Sequence, residues 1–373
     1  MAETTTTVWI LRHGRSTFND EGRYQGCCDS PELTEAGRRA ARLSGERLRS
    51  VGIDALISSP LRRVVQTAEE VLQVLDGRAT PLPLKRDARL REVELPGWEG
   101  LTISEVKQSF PDEYFTWCND PYNLRMTTAD GQSIFPARRL YRRARLLVDD
   151  LLSNYTGKSV LLVAHGGTAR ALITTALGLG ARYFHRIQQS NCGLSRLSFS
   201  GSARRSVLEL MNDTSHLGEA LPKLKEGKTG VRLLLFPAVK GILRDGCQIF
   251  DVLERLGLDC VFPINADGRA AAAAIFRRGT EALAQAHKNL TSALRGVLSI
   301  ATAERPLKVA VVATPDFLHR LLHERLGLRN LKGSLLLRGP SITAVHCPGA
   351  GAQPILQALN TYESQVNPSG VYL

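Results

Sequence analysis

Long apolar runs are missing from this chain of 373 residues, and none approaches the roughly 20 residues of a membrane span. The opening stretch MAETTTTV has no apolar core of the kind a secretion signal needs. Both absences set the expectation of a cytoplasmic chain with no membrane partner. Cysteine is sparse: seven residues, an odd number, do not make a disulfide framework in a chain this long. The adjacent pair Cys27-Cys28 has no metal-ligand spacing, so neither a metal nor another cofactor is expected. Aromatics make up only 6%, and acidic residues are outnumbered 36 to 48, giving a net charge of +12. The arginines are spread through helical stretches rather than gathered into a tail. That pattern excludes a dedicated nucleic-acid partner and suits a solvated basic surface drawn in part to an anionic small substrate.

What is present centres on VWILRHGRSTFN, residues 8 to 19. Val8 to Leu11 suit a buried strand, and the run stops at Arg12-His13-Gly14. An Arg and a His at a strand end, followed by a Gly that frees the backbone, suit either a loop around an anion or an ordinary polar strand end. Thr34 and Glu35 open an amphipathic helix that Gly52 ends, and Ile53 to Ile57 read as a second strand. Ser58-Ser59-Pro60 then predicts a helix capped by Ser, with Arg62 and Arg63 in its first turn. Residues 82 to 90 are extended into Leu90-Arg91-Glu92, PGWEG (96 to 100) is a tight turn, and a helix starts near Thr102. Residues 109 to 126 are aromatic and broken by Pro, either a lid or a satellite cluster, and an Arg-rich helix covers 136 to 154.

SVLLVAHGGTARALITTALGLG repeats the opening grammar: strand Val160 to Val163, a loop Ala164-His165-Gly166-Gly167, and a helix from Thr168 to about Gly178. Alternating strands and helices predict an α/β domain with a mostly parallel sheet flanked by helices. Ligands of such sheets bind at the carboxyl ends of the strands, where both histidines fall. For a phosphoryl ligand, a neutral His attacks phosphorus and carries it covalently. Arg12, Arg63 and a protonated His165 would supply fixed positive charge, and Glu92 is the candidate general acid.

Arg12-His13-Gly14 with Ser16 and Asn19, Gly22-Arg23-Tyr24-Gln25-Gly26, Leu33-Thr34-Glu35-Ala36-Gly37, SSPLRR, LRE and AHGG resemble the histidine phosphatase superfamily, in its phosphoglycerate-mutase-like branch. The resemblance runs over residues 8 to 200 and implies that fold. It implies His13 as the phosphorylated nucleophile, Arg12, Arg63 and His165 in the phosphate pocket, Asn19 at its edge and Glu92 in proton transfer. Gln25, Gly26 and Gly166 join the binding set. Arg63, the second arginine after the leucine, matches the family position, with Arg62 the lesser candidate. Pro96 departs from the family, which usually has Gly there. Glu92 and His165 stand only 73 residues apart, without the long insertion of the mutases, which favours a phosphatase. Two stretches, DGQSIFPARRLYRRA and ALGLGARYFHRIQQSNCG, resemble the plant and cyanobacterial 2-carboxy-D-arabinitol-1-phosphatase-like group. Candidate substrates are 2-carboxy-D-arabinitol 1-phosphate, phosphoserine and other sugar or acid phosphates. For a plant protein shorn of its transit peptide the chloroplast stroma replaces the cytoplasm. Rival readings are a cofactor-dependent phosphoglycerate mutase and a non-catalytic sensor of a phosphorylated metabolite.

The second half reads as a worn copy of the first. At a shift of 149, KVAVVATPDFLHRLLHERLGL (308 to 328) lies over SVLLVAHGGTARALITTALGL (159 to 179), with Thr314 where His165 stands. At a shift of 205, residues 256 to 262 lie over 51 to 57, and Gly268 replaces Arg63. The strand VRLLLF (231 to 236) has no His after it. The expected organisation is a catalytic domain over 1–211, a linker over 212–227 and a degenerate, inactive domain over 228–373. That second domain would stabilise, dimerise or gate the first, or bind a metabolite, with the structural role favoured and a homodimer the candidate assembly. A run such as GRAAAAAIFRRG (268 to 279) packs helices and offers no site. His185, His216, His287, His319 and His346 have no partners at meaningful spacing.

Overall fold

The computed structural model describes residues 4–76, 82–201, 205–224, 229–238, 252, 255–264, 268, 305–328, 331, 333–348 and 352–362. The chain divides into two compact units, residues 1–208 with 330–334, and residues 209–329 with 335–373. Among the described residues no helix is long and apolar enough to cross a membrane.

The first unit is an α/β layer structure. Its strands are β1 (Thr5–Arg12), β2 (Ala55–Ser58), β3 (Leu84–Arg86), the short pair β4 (Met126–Thr127) and β5 (Ser133–Ile134), then β6 (Ser159–Ala164) and β7 (Leu194–Ser200). Its helices are α1 (Thr17–Asp20), α2 (Glu35–Leu48), α3 (Arg62–Leu75), α4 (Ile103–Ser109), α5 (Pro111–Asn119), α6 (Pro136–Asn154) and α7 (Gly166–Ala176). The main sheet runs β7-β1-β6-β2-β3, parallel except for β7. Every residue of β2 is buried, as are Val160 to Ala164 of β6, so these strands read as continuous apolar runs because helices cover both faces. The register pairs Arg12 with Ala164 and Ser58 with Val163. Three strand ends therefore lie together and deliver His13, Ser59 and His165 to one edge.

Some boundaries differ from expectation for identifiable reasons. Strand β2 starts at Ala55, because the Ile53 N–H turns back onto the Val51 carbonyl at 2.9 Å. Helix α3 is capped by Leu61 without a side-chain bond, and the Ser59 hydroxyl before it accepts from the Leu61 N–H at 3.4 Å as well as from His165 Nε2 at 2.9 Å. Helix α7 begins at Gly166 rather than Thr168, because a distant carboxylate caps it. Pro96 has a structural reason: Trp98 N–H bonds the Leu95 carbonyl at 3.0 Å, and Gly97 has φ +80°. This turn wants Pro and then Gly at its two central positions.

The aromatic stretch 109–126 forms a satellite core. Fully buried Trp98 packs against Tyr24, Phe110, Tyr114 and Trp117, with ring centres 5.3 to 6.5 Å away.

The second unit contains β8 (Arg205–Asp213) from Glu209 onward, β9 (Val231–Pro237), β10 (Cys260–Pro263), β11 (Leu307–Ala313), β13 (Ile342–Cys347) and β14 (Ile355–Thr361), with helix α8 (Pro315–Leu326) after β11. A two-residue strand, β12 (Ser334–Leu335), precedes β13. The sheet runs β10-β11-β9-β13-β14, with the first three strands parallel and the next two antiparallel. Leu234, Phe236, Val261, Ala310, Val312 and Ala344 build its core. The order β10-β11-β9-β13 has the directions of β2-β6-β1-β7 in the first unit. The segment expected as linker does not begin free: Asn212 and Asp213 are buried, and Asn212 donates to the Gln357 carbonyl at 2.7 Å. His319 has a partner after all, since its ring lies 4.2 Å from that of His323 one turn on. The run 269–279 and His287 lie outside the described residues.

Candidate active site

The site starts from backbone geometry. The His13 N–H donates to the Ala164 carbonyl at 2.9 Å, so the parallel pairing continues one residue past β1 and fixes the nucleophile candidate against β6. His13 is 2% exposed, and its Nδ1 lies 2.7 Å from the carbonyl oxygen of Gly14. A carbonyl oxygen only accepts, so Nδ1 carries a hydrogen, and in the neutral ring the lone pair is on Nε2. The Gly14 N–H donates to Thr67 Oγ1 at 3.0 Å, and that hydroxyl donates to the Arg63 carbonyl at 2.7 Å. A Cβ on Gly14 would stand 2.5 Å from the Gly37 carbonyl oxygen, which is why this turn needs glycine.

Arg63 and His165 are both fully buried. The Arg63 guanidinium donates to the Cys28 carbonyl at 2.8 Å and to the Gly26 carbonyl at 2.9 Å. Its Nη2 also lies 3.1 Å from His165 Nδ1. Guanidinium only donates, so Nδ1 is the acceptor, and Nε2 carries the hydrogen that it gives to Ser59 Oγ at 2.9 Å. His165 is therefore neutral, which corrects the positive charge expected of it. Burial first, then the cations of Arg63 and Arg12 with the second ring of His13, holds its pKa well below 6.5. Of the two candidate arginines, Arg63 is the one in the pocket; Arg62 is exposed and only its backbone N–H engages, at Asp29.

Arg12 donates to the Gln189 carbonyl at 2.9 Å, and burial draws its pKa down to about 10, leaving it cationic at neutral pH. Glu92 sits across the pocket as the N-terminal cap of α7. Its carboxylate accepts from Gly167 N–H at 2.9 Å, Thr168 N–H at 3.0 Å and its neighbour Val93 N–H at 2.9 Å. Its backbone carbonyl is gripped as well, by Arg143 Nη2 at 2.9 Å and by the Cys27 thiol at 3.2 Å. A Cβ at Gly167 would stand 2.4 Å from Glu92 Oε1. Gly167→Ala therefore displaces the carboxylate. The expected result is a loss of about 10²-fold in kcat on alkyl phosphates, and a much smaller loss on p-nitrophenyl phosphate, whose leaving group needs no proton. Equal losses on both substrates would remove proton transfer from Glu92.

The remaining expected residues are placed around this centre. Asn19 forms a reciprocal cap with Ser16, and its Oδ1 also accepts from Asn191 Nδ2 at 3.0 Å, which turns its NH₂ group away from those donors. Gln25 Oε1 accepts from Ser16 Oγ at 2.9 Å. Gly26, at φ +48°, holds Arg63 through its carbonyl, and a Cβ there would meet Glu99 at 2.1 Å. A Cβ on Gly166 would lie 3.2 Å from Arg12 Nε, so the arginine passes close over the helix start. Sequence reasoning missed Ser59 as a partner of His165, Thr67 beneath Gly14, Arg143 behind Glu92, and Asn191. Asn191 Nδ2 donates to the His13 carbonyl at 3.0 Å and the Gly14 carbonyl at 3.2 Å. Its only signal was a polar loop just before the strand that pairs with β1.

His185, which was expected to be structural, stands edge-on between Trp117 and Phe184 at 5.1 and 5.0 Å, and burial pushes its pKa down to about 3. Folded His165 and His185 take up a proton only well below the 6.5 at which the unfolded chain does. Stability from these rings is complete above pH 6.5 and drains away as pH falls, at about 1.4 kcal/mol per pH unit for each ring. Urea midpoints should therefore drop between pH 7 and pH 5; a flat profile would contradict the neutral buried rings.

The profile of the histidine phosphatase superfamily (branch 1) matches residues 8–214, more than half of the chain and nearly all of the unit just described. An Arabidopsis thaliana protein named "Probable 2-carboxy-D-arabinitol-1-phosphatase" is 38% identical over 216 residues, which cover 57% of this chain and 42% of that relative. The chain thus spans less than half the length of this plant relative. "Phosphoserine phosphatase 1" of Hydrogenobacter thermophilus is 29% identical over 210 residues, 56% of this chain and 93% of the relative. "Probable phosphoglycerate mutase GpmB" of Yersinia pestis is 35% identical over 222 residues, 59% of this chain and 97% of the relative. With two strand-end histidines, two buried arginines and a helix-capping glutamate gathered inside the matched region, the chain belongs to the histidine phosphatase superfamily.

Proposed function

We propose that the first unit is a phosphatase that hydrolyses a small phosphorylated metabolite through a phosphohistidine at His13, needing no metal or other cofactor. The observation that carries this reading is a histidine with its lone pair on Nε2, its ring centre 5.3 Å from that of His165, beside two buried arginines that have no carboxylate partner among the described residues. Nε2 attacks phosphorus as the ester P–O bond breaks, and Glu92 gives the leaving oxygen its proton. Arg12 and Arg63 hold the equatorial oxygens, and neutral His165 adds no charge but positions Arg63 through Nδ1 and Ser59 through its Nε2 hydrogen. Water then attacks the phosphohistidine, its proton passes to Glu92, and the electrons of the P–N bond return to Nε2. The names of the relatives, together with the resemblance, make 2-carboxy-D-arabinitol 1-phosphate, phosphoserine and other sugar or acid phosphates the candidate substrates.

The test is phosphate release from a panel of these monoesters without added metal, with vanadate as a five-coordinate phosphate mimic. Turnover of one or two members, blocked by vanadate, is the expected result. Transfer between positions that requires a bisphosphate would show a mutase instead, and binding without turnover a sensor. The second unit is, on this reading, an inactive copy of the same fold. Its support is the shared order and direction of four strands, with Thr314 capping α8 where His165 precedes α7. Its role would be structural, in a cytoplasmic protein with a homodimer as the candidate assembly.

A further inference from the structure

We propose that Asn191 is a positioning residue for the phosphoryl transfer. It holds the turn after β1 so that His13 keeps its hydrogen on Nδ1 and offers Nε2 to phosphorus. The proposal rests on the phosphatase reading above. Asn191 Nδ2 lies 3.0 Å from the His13 carbonyl, 3.2 Å from the Gly14 carbonyl and 3.0 Å from Asn19 Oδ1. The two carbonyls only accept, and so does Asn19 Oδ1, which takes the Ser16 N–H at 3.3 Å. An amide oxygen in that place would face three oxygens, so the Asn191 side chain stands one way round and supplies donors alone to this turn. The Gly14 carbonyl is the same oxygen that takes the His13 Nδ1 hydrogen at 2.7 Å.

The rest of the loop is shaped to bring this amide in. Cys192, the next residue, has φ +52°, a left-handed conformation that residues other than glycine rarely adopt and that stores strain. There its N–H reaches the Arg12 carbonyl at 3.0 Å and the His13 carbonyl at 3.4 Å. The Arg12 N–H donates back to the Gly193 carbonyl at 3.4 Å. The carbonyls of Arg12, His13 and Gly14 thus all take hydrogens from Asn191 and Cys192. Without Asn191 the Gly14 carbonyl loses a donor other than the imidazole itself and is free to swing off the ring. Nothing then favours one neutral tautomer of His13 over the other, and only the Nδ1–H form carries a lone pair on Nε2. Attack is impaired while Arg12, Arg63 and Glu92 stay in place, since Asn191 bonds none of their side chains.

The experiment places isotope-labelled histidine in the full chain and reads the His13 tautomer from long-range proton–nitrogen NMR correlations, at a pH where the ring is neutral. The signal is identified by its loss in His13→Ala. Wild type is expected to show the hydrogen on Nδ1 alone. In Asn191→Ala, and in Asn191→Leu, which keeps the bulk, a second population with the hydrogen on Nε2 appears. The rapid-quench rate of phosphohistidine formation falls with it by about tenfold to a hundredfold, the effect of misplacing a reacting group. That loss is the same on alkyl phosphates and on p-nitrophenyl phosphate, because attack and not leaving-group protonation is impaired. If Asn191 only steadies the loop, the variants melt earlier yet keep the wild-type tautomer and rate, which overturns the proposal. A wild type with the hydrogen on Nε2 overturns it without any variant. If wild type hydrolyses no monoester, the phosphatase reading fails alone, because the tautomer shift between wild type and variants still decides what Asn191 does.

Discussion

Replacing His13 with alanine should slow phosphate release by about 10⁴-fold or more, the scale on which removing a covalent nucleophile acts. The expectation follows from how the ring is held. The Gly14 carbonyl takes its Nδ1 hydrogen at 2.7 Å, so the reactive nitrogen is set by the backbone and needs no proton shuffle before attack. Alanine removes the covalent route and leaves Arg12, Arg63 and Glu92 in place, so the residual rate measures what charge alone achieves with water. Steady-state phosphate release checks the number. Rapid acid-free quenching with a labelled substrate should trap phosphate on the wild-type chain and none on the variant. A variant within tenfold of wild type would take the nucleophile role away from His13.

Arg63→Met should lower kcat/KM by roughly 10² to 10³, the cost of one preorganised donor to developing charge. It also leaves the Gly26 and Cys28 carbonyls and His165 Nδ1 without the donor they now share. Arg63→Lys restores the charge but not the planar fork and should recover only part of the activity. Because Arg63 is one of the causes that depress the His165 pKa, its loss should raise the midpoint of that ring in an NMR titration. Methionine activity within fivefold of wild type would show that Arg63 serves packing alone.

Much of this was readable from residue order. Buried strands announced themselves as apolar runs, and His13 and His165 were conspicuous because each ends such a run just before a glycine. The Arg-rich helix expected over about 136 to 154 is α6, with Pro136 in its first turn. The charge of His165 was not readable, since it depends on a guanidinium 102 residues earlier pointing at one ring nitrogen. Ser59 looked like a helix cap; its hydroxyl does take the N–H of Leu61 at 3.4 Å, but a histidine across the sheet holds it more closely, at 2.9 Å. Nor could the start of α7 be found locally, as its capping carboxylate belongs to Glu92. Asn191 and Arg143 act through backbone carbonyls of distant residues, and that kind of contact leaves no periodic trace in sequence.

The parallel pairing of β1 with β6 joins Thr7 to Ser159, and Asn191 reaches the His13 carbonyl across 178 positions. Closing loops of that length costs entropy before any contact rewards it, so such pairings form slowly. Helices can assemble early from local sequence, yet none of them holds a competent site until these distant strands meet. During refolding, circular dichroism will therefore recover ahead of turnover. Regained activity clocks the completion of the sheet, and partly folded chains stay chemically silent.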